Sequence, residues 1–140
     1  MEIWLNCTDS YPEHIPNEID KVLNYKSTKH NITNIEINED LKLEKNGKII
    51  GLMVNISSLK EQESALSLIG SVEWILLKCD SWKMIPCENL IAAAENSGTK
   101  LAAIVENELE VPGIAFALEI GVDALVVNSD LIELAIITKS

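Results

Sequence analysis

The sequence predicts a single α/β domain made of parallel βα repeats. Three observations carry this reading. Four stretches are apolar almost throughout: Ile49–Ile56, Val72–Leu77, Lys100–Val105 and Val122–Val127. A strand with one solvated face alternates apolar and polar residues, whereas a strand apolar on both faces belongs in a parallel sheet covered by helices. Segments of helical periodicity separate these stretches. Glycine follows them at Gly70, Gly98 and Gly121, where a helix stops most easily in left-handed backbone. The chain also repeats itself. Val72–Asp80 (VEWILLKCD) echoes Val122–Asp130 (VDALVVNSD) about 50 residues later, and Leu52–Ile56 corresponds to Leu101–Val105 at nearly the same offset. A pair of βα modules occurring twice suits a partial, TIM-barrel-like array of about six βα modules, with an open doubly wound sheet as the alternative.

The elements follow in chain order. Ile3–Asn6 is a short apolar run ending in polar residues and predicts a strand. Over Pro12–Tyr25, Ile15, Ile19, Val22 and Leu23 recur at helical spacing with Pro16 near the start, so a helix is expected. Asn31–Asn38 alternates unevenly through Ile32, Ile35 and Ile37 and predicts a weaker strand. Glu39–Gly47 is charged and ends in the turn pair Asn46-Gly47. After the strand Ile49–Ile56, Ser58 stands as an N-cap with Glu61 at capping-box spacing, and Leu59, Ala65, Leu66 and Ile69 give a helix its apolar stripe. Val72–Leu77 is a strand. Pro86 opens a helix that runs to Glu95, with Leu90, Ile91 and Ala94 on one side. Lys100–Val105 is a strand, Glu110–Ile120 a helix, Val122–Val127 a strand, and Asp130–Ile137 a last helix. Trp74 and Trp82 are expected between sheet and helix. A parallel barrel short of eight modules leaves an open edge, so a second copy or a further region is expected to cover it.

Composition narrows the function. The 140 residues suffice for one domain with a real core, and 47% hydrophobic with 24% charged residues excludes disorder. Acidic residues number 22 against 11 basic, all of them lysine, for a net charge of -11. Such a surface repels phosphate, which excludes nucleic acid and an anionic membrane surface as partners. Cys7, Cys79 and Cys87 show neither paired spacing nor a C-x-x-C, so neither a disulfide framework nor a cysteine-built metal site is expected. The amino terminus, MEIWLNCTD, lacks the regions of a secretory signal, and no apolar run reaches the roughly 18 residues of a membrane span. The expected location is the cytoplasm.

In parallel α/β folds the ligand sits at the carboxyl ends of the strands. The polar residues there are Asn6 and Asp9, Asn55 and Ser57, Lys78 and Asp80, Glu106 and Asn107, and Asn128 and Asp130. Lys78 ends an apolar strand between Leu77 and Cys79. Partial desolvation there would disfavour its charged form and make the amine a base or imine former; the alternative is a snorkelling lysine paired with Asp80. Asp80 and Asp130 occupy equivalent repeat positions, as ligand contacts or as helix N-caps. Glu106 is a candidate general base or a solvated loop carboxylate. His14 and His30 read as surface residues, and Cys79 as a small buried apolar group. No G-x-G-x-x-G follows a strand, and no Walker A loop, H-E-x-x-H or G-x-S-x-G occurs.

One segment says more than periodicity can. Trp82-Lys83-Met84-Ile85-Pro86-Cys87-Glu88-Asn89-Leu90-Ile91-Ala92 resembles the W-K-x-I-P-x-E-N-L-I-A signature of the archaeal-type, or second-type, 3-dehydroquinate synthases. TKLAAIVEN (Thr99–Asn107) and ALEIGVDALVVNSD (Ala117–Asp130) are similar to that family as well. The likeness is good over about residues 72 to 134 and poor over the first 70. It implies that residues 1–140 are the amino-terminal α/β domain of a longer family whose carboxyl-terminal β-rich region is absent from this sequence. It also implies a reaction of aromatic amino-acid biosynthesis, on the shikimate route to chorismate. NAD takes a hydride from the amine-bearing carbon of 2-amino-3,7-dideoxy-D-threo-hept-6-ulosonate, the imine hydrolyses, ammonia leaves, and aldol closure gives 3-dehydroquinate. The implied cofactor is NAD and the implied partner a small aminoketo acid. A related branch makes 3-amino-4-hydroxybenzoate with a divalent metal and no net redox step, and a non-catalytic relative is the third reading. The signature carries Lys83, Glu88 and Asn89 over as site residues, and Lys78 joins them by position. Lys83 or Lys78 would bind the substrate carboxylate or act as base, with Asp80, Glu88, Asn89, Glu106, Asn128 and Asp130 binding substrate. Glu88 and Asn89 also lie in a helix's first turn, where a carboxylate suits the helix dipole.

Overall fold

The computed structural model describes residues 1–27, 31–79, 88–106 and 121–139. Within them lie the strands β1 (Glu2–Asn6), β2 (Lys21–Leu23), β3 (Thr33–Ile37), β4 (Lys42–Lys45), β5 (Lys48–Ile56), β6 (Trp74–Cys79), β7 (Lys100–Val105) and β8 (Ala124–Val127). They close a barrel in chain order, with β8 returning to β1. Pairing is parallel from β5 through β8 and on through β1 to β3. β4 is antiparallel to both neighbours. Helix α1 (Leu59–Leu68) follows β5, α2 (Glu88–Ala94) lies between β6 and β7, and α3 (Ile132–Lys139) follows β8 through the 3-10 turn Ser129–Leu131. None of the described helices is long and apolar enough to cross a membrane.

This architecture corrects the expected fold class. The chain is neither a partial TIM-barrel-like array of about six parallel βα modules nor an open doubly wound sheet. Its described residues form a closed, mixed barrel of eight strands with three α-helices. Its strands have no open edge, because Glu2–Leu5 of β1 pair with Ala124–Val127 of β8. Two segments account for the difference. Pro12–Tyr25 forms no helix. Proline at 12 and 16 removes two backbone donors, and only a turn results, with Ile19 N donating to Pro16 O at 3.1 Å. Ile15 and Ile19 are buried as loop residues, and Lys21–Leu23 extend beside β1 instead. The second segment is Glu39–Gly47, whose charge hid a strand. β4 holds one fully buried apolar residue, Leu43, among Lys42, Glu44 and Lys45. Asn46 and Gly47 both take positive φ, 53° and 78°, which matches a two-residue hairpin to the twist of its strands and sends β5 back antiparallel. The helix expected over Glu110–Ile120 lies outside the described residues.

Alternation along the strands decides what fills the barrel. One parity packs with the helices: Ile3, Leu5, Ile75, Leu77, Ala103 and Leu125 sit with Ala65, Leu90 and Ala135. The other parity packs on itself: Trp4, Leu23, Ile35, Leu43, Ile50, Trp74, Leu76, Ala102, Ile104, Ala124 and Val126. That second set is the barrel interior. Trp4 and Trp74 cross there with ring centroids 4.7 Å apart at 59°. Trp74 therefore packs inside the barrel, not between sheet and helix, and the small side chains of Ala102 and Ala124 leave room for two indoles.

At the amino-terminal end the same parity presents Glu2, Lys21 and Lys100. The Lys21 ammonium lies 2.9 Å from Glu2 Oε1 and 5.2 and 4.8 Å from the Trp4 and Trp74 rings. Lys100 approaches Trp74 at 5.5 Å, and Trp4 Nε1 donates to Glu2 Oε1 at 2.7 Å. Burial pushes the Glu2 carboxyl up. The hydrogen bonds from Lys21 and Trp4, with the charges of Lys21 and Lys100, outweigh that and hold it below its ordinary 4.5. The group forms a charged plug under the indoles.

Two outcomes follow from this packing. A Cβ on Gly51 would meet the Trp74 carbonyl oxygen at 1.9 Å. Gly51→Ala is expected to lower stability in urea unfolding by about 2 kcal/mol or more; an unchanged midpoint would contradict the close approach. A carboxyl whose folded value is depressed contributes stability that is present above its unfolded value and lost as pH falls through the folded one. The melting temperature of Glu2→Gln should therefore be lower than wild type at neutral pH, and the gap should close between about pH 5 and pH 3.

Candidate functional site

At the carboxyl end the inward parity continues into polar residues. Asn6 follows Trp4 in β1, Asn55 follows Met53 in β5, and Lys78 follows Leu76 in β6. Glu106 and Asn128 come one residue after β7 and β8 on the parity of Ile104 and Val126. Five neighbouring strands of the ring thus turn polar at their carboxyl ends: Asn55 and Lys78 are register partners, and Glu106, Asn128 and Asn6 lie one inward position further along. Lys78 Nζ lies 3.2 Å from Glu106 Oε1, with the two side chains 46% and 45% exposed. The Lys78 side chain is thus partly screened from water and engaged with a carboxylate of the adjacent strand's end. Lys78 and Glu106 present N–H donors and carboxylate acceptors side by side across adjacent strands. Asn128 Nδ2 donates to the Glu106 carbonyl at 2.5 Å and so ties the end of β8 to the end of β7.

The β8–β1 seam opens into a cleft of about 400 Å³ lined by Asn6, Asp9, Ser10, Asn128, Ser129 and Asp130. Asn6 Oδ1 accepts from the backbone N of Thr8 at 3.1 Å and from its hydroxyl at 2.7 Å. Asn24, at φ 55° just after β2, donates from Nδ2 to Thr8 Oγ1 at 2.9 Å and accepts from Ile37 N at 2.9 Å. A chain of side-chain bonds thus runs around the rim from β1 to β3. Behind the rim, Ser57 and Ser58 donate their hydroxyls to Glu61 at the start of α1, and these bonds hold the Glu61 carboxyl down to about 2.

The structure places four of the expected site residues in two groups, Lys78 with Glu106 in an ion pair and Asn128 with Asp130 in the β8–β1 cleft. Asn89 is exposed in the first turn of α2, and Glu88 opens that helix. Asp80 and Lys83 lie outside the described residues, as does most of the tryptophan-lysine signature. Asn24, Thr8, Ser10 and Ser129 belong to the rim but were not singled out from the sequence. The signal for Asn24 was its place directly after a strand, hidden by the helical spacing of Pro12–Tyr25. Among the described residues no cluster of three or more His, Cys, Asp or Glu side chains is arranged to hold a metal ion.

Comparison with known proteins fits this barrel into a family. Residues 13–138 match the family profile described as 3-dehydroquinate synthase II N-terminal domain. The chain belongs to the 3-dehydroquinate synthase II family. The match reaches back through the hairpin and the irregular β1–β2 connection, well beyond the stretch from residue 72 where the resemblance was plain. Among relatives named 3-dehydroquinate synthase, that of Methanocorpusculum labreanum is 32% identical over 84 residues, covering 60% of this chain and 24% of the relative. That of Methanosphaera stadtmanae is 32% identical over 90 residues, 64% of this chain and 25% of the relative. That of Methanocella arvoryzae is 36% identical over 72 residues, 51% of this chain and 19% of the relative. The first two matches span about a quarter of the length of those relatives. No solved structure matches the chain.

Within this 3-dehydroquinate synthase II barrel, Cys7 follows Asn6 but faces the helices with Leu5, buried to 3% exposure. Burial pushes its thiol up to about 11. A thiol raised that far holds almost no thiolate near neutrality and is no nucleophile. Alkylation of Cys7 by iodoacetamide at pH 8, followed by peptide mass analysis, should run at least about a hundredfold slower than that of free glutathione.

Proposed function

We propose that this barrel holds and closes the aminoketo acid of a 3-dehydroquinate synthase. The substrate is 2-amino-3,7-dideoxy-D-threo-hept-6-ulosonate, the product 3-dehydroquinate, and the setting cytoplasmic biosynthesis of aromatic amino acids. The observation that carries the reading is the Lys78–Glu106 pair, 3.2 Å apart on the inward parity of the mouth, in a chain matched by the 3-dehydroquinate synthase II profile. Intramolecular aldol closure needs a base beside the methyl carbon, a donor at the neighbouring ketone, and a chain tethered at its far end. Glu106 takes a proton from the methyl carbon, C7. Lys78 donates to the ketone oxygen on C6 as that oxygen gains charge. Once C2 has become a ketone by loss of its hydride and of ammonia, the C7–C2 bond forms as the C2 carbonyl π bond breaks, and the oxygen left on C2 receives a proton.

The reaction implied by the family also passes a hydride to NAD. The described rim does not fit that cofactor. A dinucleotide pyrophosphate needs cations or converging backbone N–H groups, and this rim presents Asp9, Asp130 and Glu106 with Lys78 already paired. These residues are accordingly assigned to the aminoketo acid, and no step is assigned to the dinucleotide. Lys83, matched by the signature, is proposed as a second substrate contact.

Supplied with the aminoheptulosonate and NAD, the protein should form 3-dehydroquinate and NADH together. Lys78→Met and Glu106→Gln should each lower kcat about a hundredfold or more with circular dichroism unchanged. Formation of 3-amino-4-hydroxybenzoate without NADH would move the protein to the benzoate-forming branch. Normal kcat in both variants would remove the proposed pair.

A further inference from the structure

The cleft at the β8–β1 seam is separate from the Lys78–Glu106 pair, and no step above uses it. Its volume is about 400 Å³ and every side chain lining it is polar, so it suits a small, strongly polar group rather than an apolar one. Two of its carboxamides have fixed orientations. Thr8 donates to Asn6 twice, so Oδ1 must face Thr8 and Nδ2 is turned the other way. Asn128 Nδ2 is committed to the Glu106 carbonyl, so Oδ1 is the atom it leaves over. Neither Asn6 Nδ2 nor Asn128 Oδ1 has a partner among the described residues. The cleft therefore offers one oriented carboxamide donor with the hydroxyls of Ser10 and Ser129, and one oriented acceptor with the carboxylates of Asp9 and Asp130. A ligand that satisfies both sets carries a cation with N–H donors beside an anion that accepts. An α-amino acid head group is that arrangement.

We infer that the β8–β1 cleft is the subsite for the α-amino acid head of the substrate, with Asn6 and Asn128 as its specificity-determining residues. This rests on the aminoketo acid reading above. The ammonium meets Asp9, Asp130 and Asn128 Oδ1; the carboxylate meets Asn6 Nδ2 and the serine hydroxyls. Spacing agrees. β6 and β8 stand two inter-strand spacings apart, roughly 10 Å. The amine-bearing carbon and the ketone carbon are four carbon–carbon bonds apart, and the long Lys78 side chain spans the remainder. The amino form thus binds extended, with its head at the seam and its ketone at Lys78, and ring closure brings C2 over to C7 once the ammonia has left.

The test is binding without NAD, read by calorimetry, with the aminoheptulosonate and its 2-deamino counterpart as probes. The double variant Asp9→Asn, Asp130→Asn should weaken the amino compound about tenfold and leave the deamino compound within about twofold. Asn6→Asp keeps the acceptor for Thr8 and exchanges the donor for an anion, so it should weaken both compounds about tenfold. Thermal unfolding checks that each variant folds. The subsite is overturned if the double variant leaves the amino compound unchanged, if it weakens both probes equally, or if neither probe binds wild type. Discrimination of the amine without formation of 3-dehydroquinate would sink the proposed reaction alone. Turnover with an indifferent double variant would sink the subsite alone.

Discussion

Backbone pairing between β1 and β8 sets Glu2 opposite Ala124 and Leu5 opposite Val127, and with that register the ring closes. Both ends of the barrel depend on it. A slip of one residue would exchange the faces of β1: Trp4 would leave the interior, Glu2 would leave Lys21, and Asn6 would turn away from Asn128. Aspartates at the amino end hold the register. Asp20 accepts from Ile3 N at 2.8 Å and returns its own N–H to Ile3 O at 2.8 Å. Asp123 accepts from Leu101 N at 2.8 Å, and its carbonyl receives Glu2 N at 2.9 Å. The same residue type ahead of β2 and β8 thus fixes where each neighbouring strand begins.

The two charged groups on the inward parity serve different ends. Below, Lys21 is 19% exposed and lies against two indoles and a carboxylate. Aromatic pairs contribute roughly 0.5–1.5 kcal/mol beyond their burial and cation–π contacts about 0.5–1 kcal/mol, so this plug stabilises the fold. Above, Lys78 and Glu106 are close to half exposed, and pairs so placed contribute roughly 0–1 kcal/mol. Their pairing at the barrel mouth is weakly supported by stability and well suited to binding.

β6, β7 and β8 were legible because their runs are apolar on both faces, and the hairpin turn was legible from Asn46-Gly47. β2 and β4 were not. Each is short, and neither carries enough inward apolar residues to show a period. An all-apolar strand also hides which parity faces inward, so Trp74 could not be assigned to the interior from its neighbours in sequence. The strand-end position of Lys78 was readable. Its partner was not, because the choice between Asp80 and Glu106 depends on which strand lies beside β6. The link from Asn6 through Thr8 to Asn24 was obscured by the helix-like spacing of the isoleucines between them. These isoleucines are spaced to bury an irregular loop.

The seam also sets an order of assembly. The β4–β5 hairpin joins residues a few positions apart and can form within microseconds of appearing, whereas Leu5 finds its partner only once Val127 is present. During synthesis β1 must wait beside β2 with one edge unsatisfied until nearly the whole barrel has left the ribosome. A contact so distant along the chain is slow to close and exposes an aggregation-prone edge meanwhile.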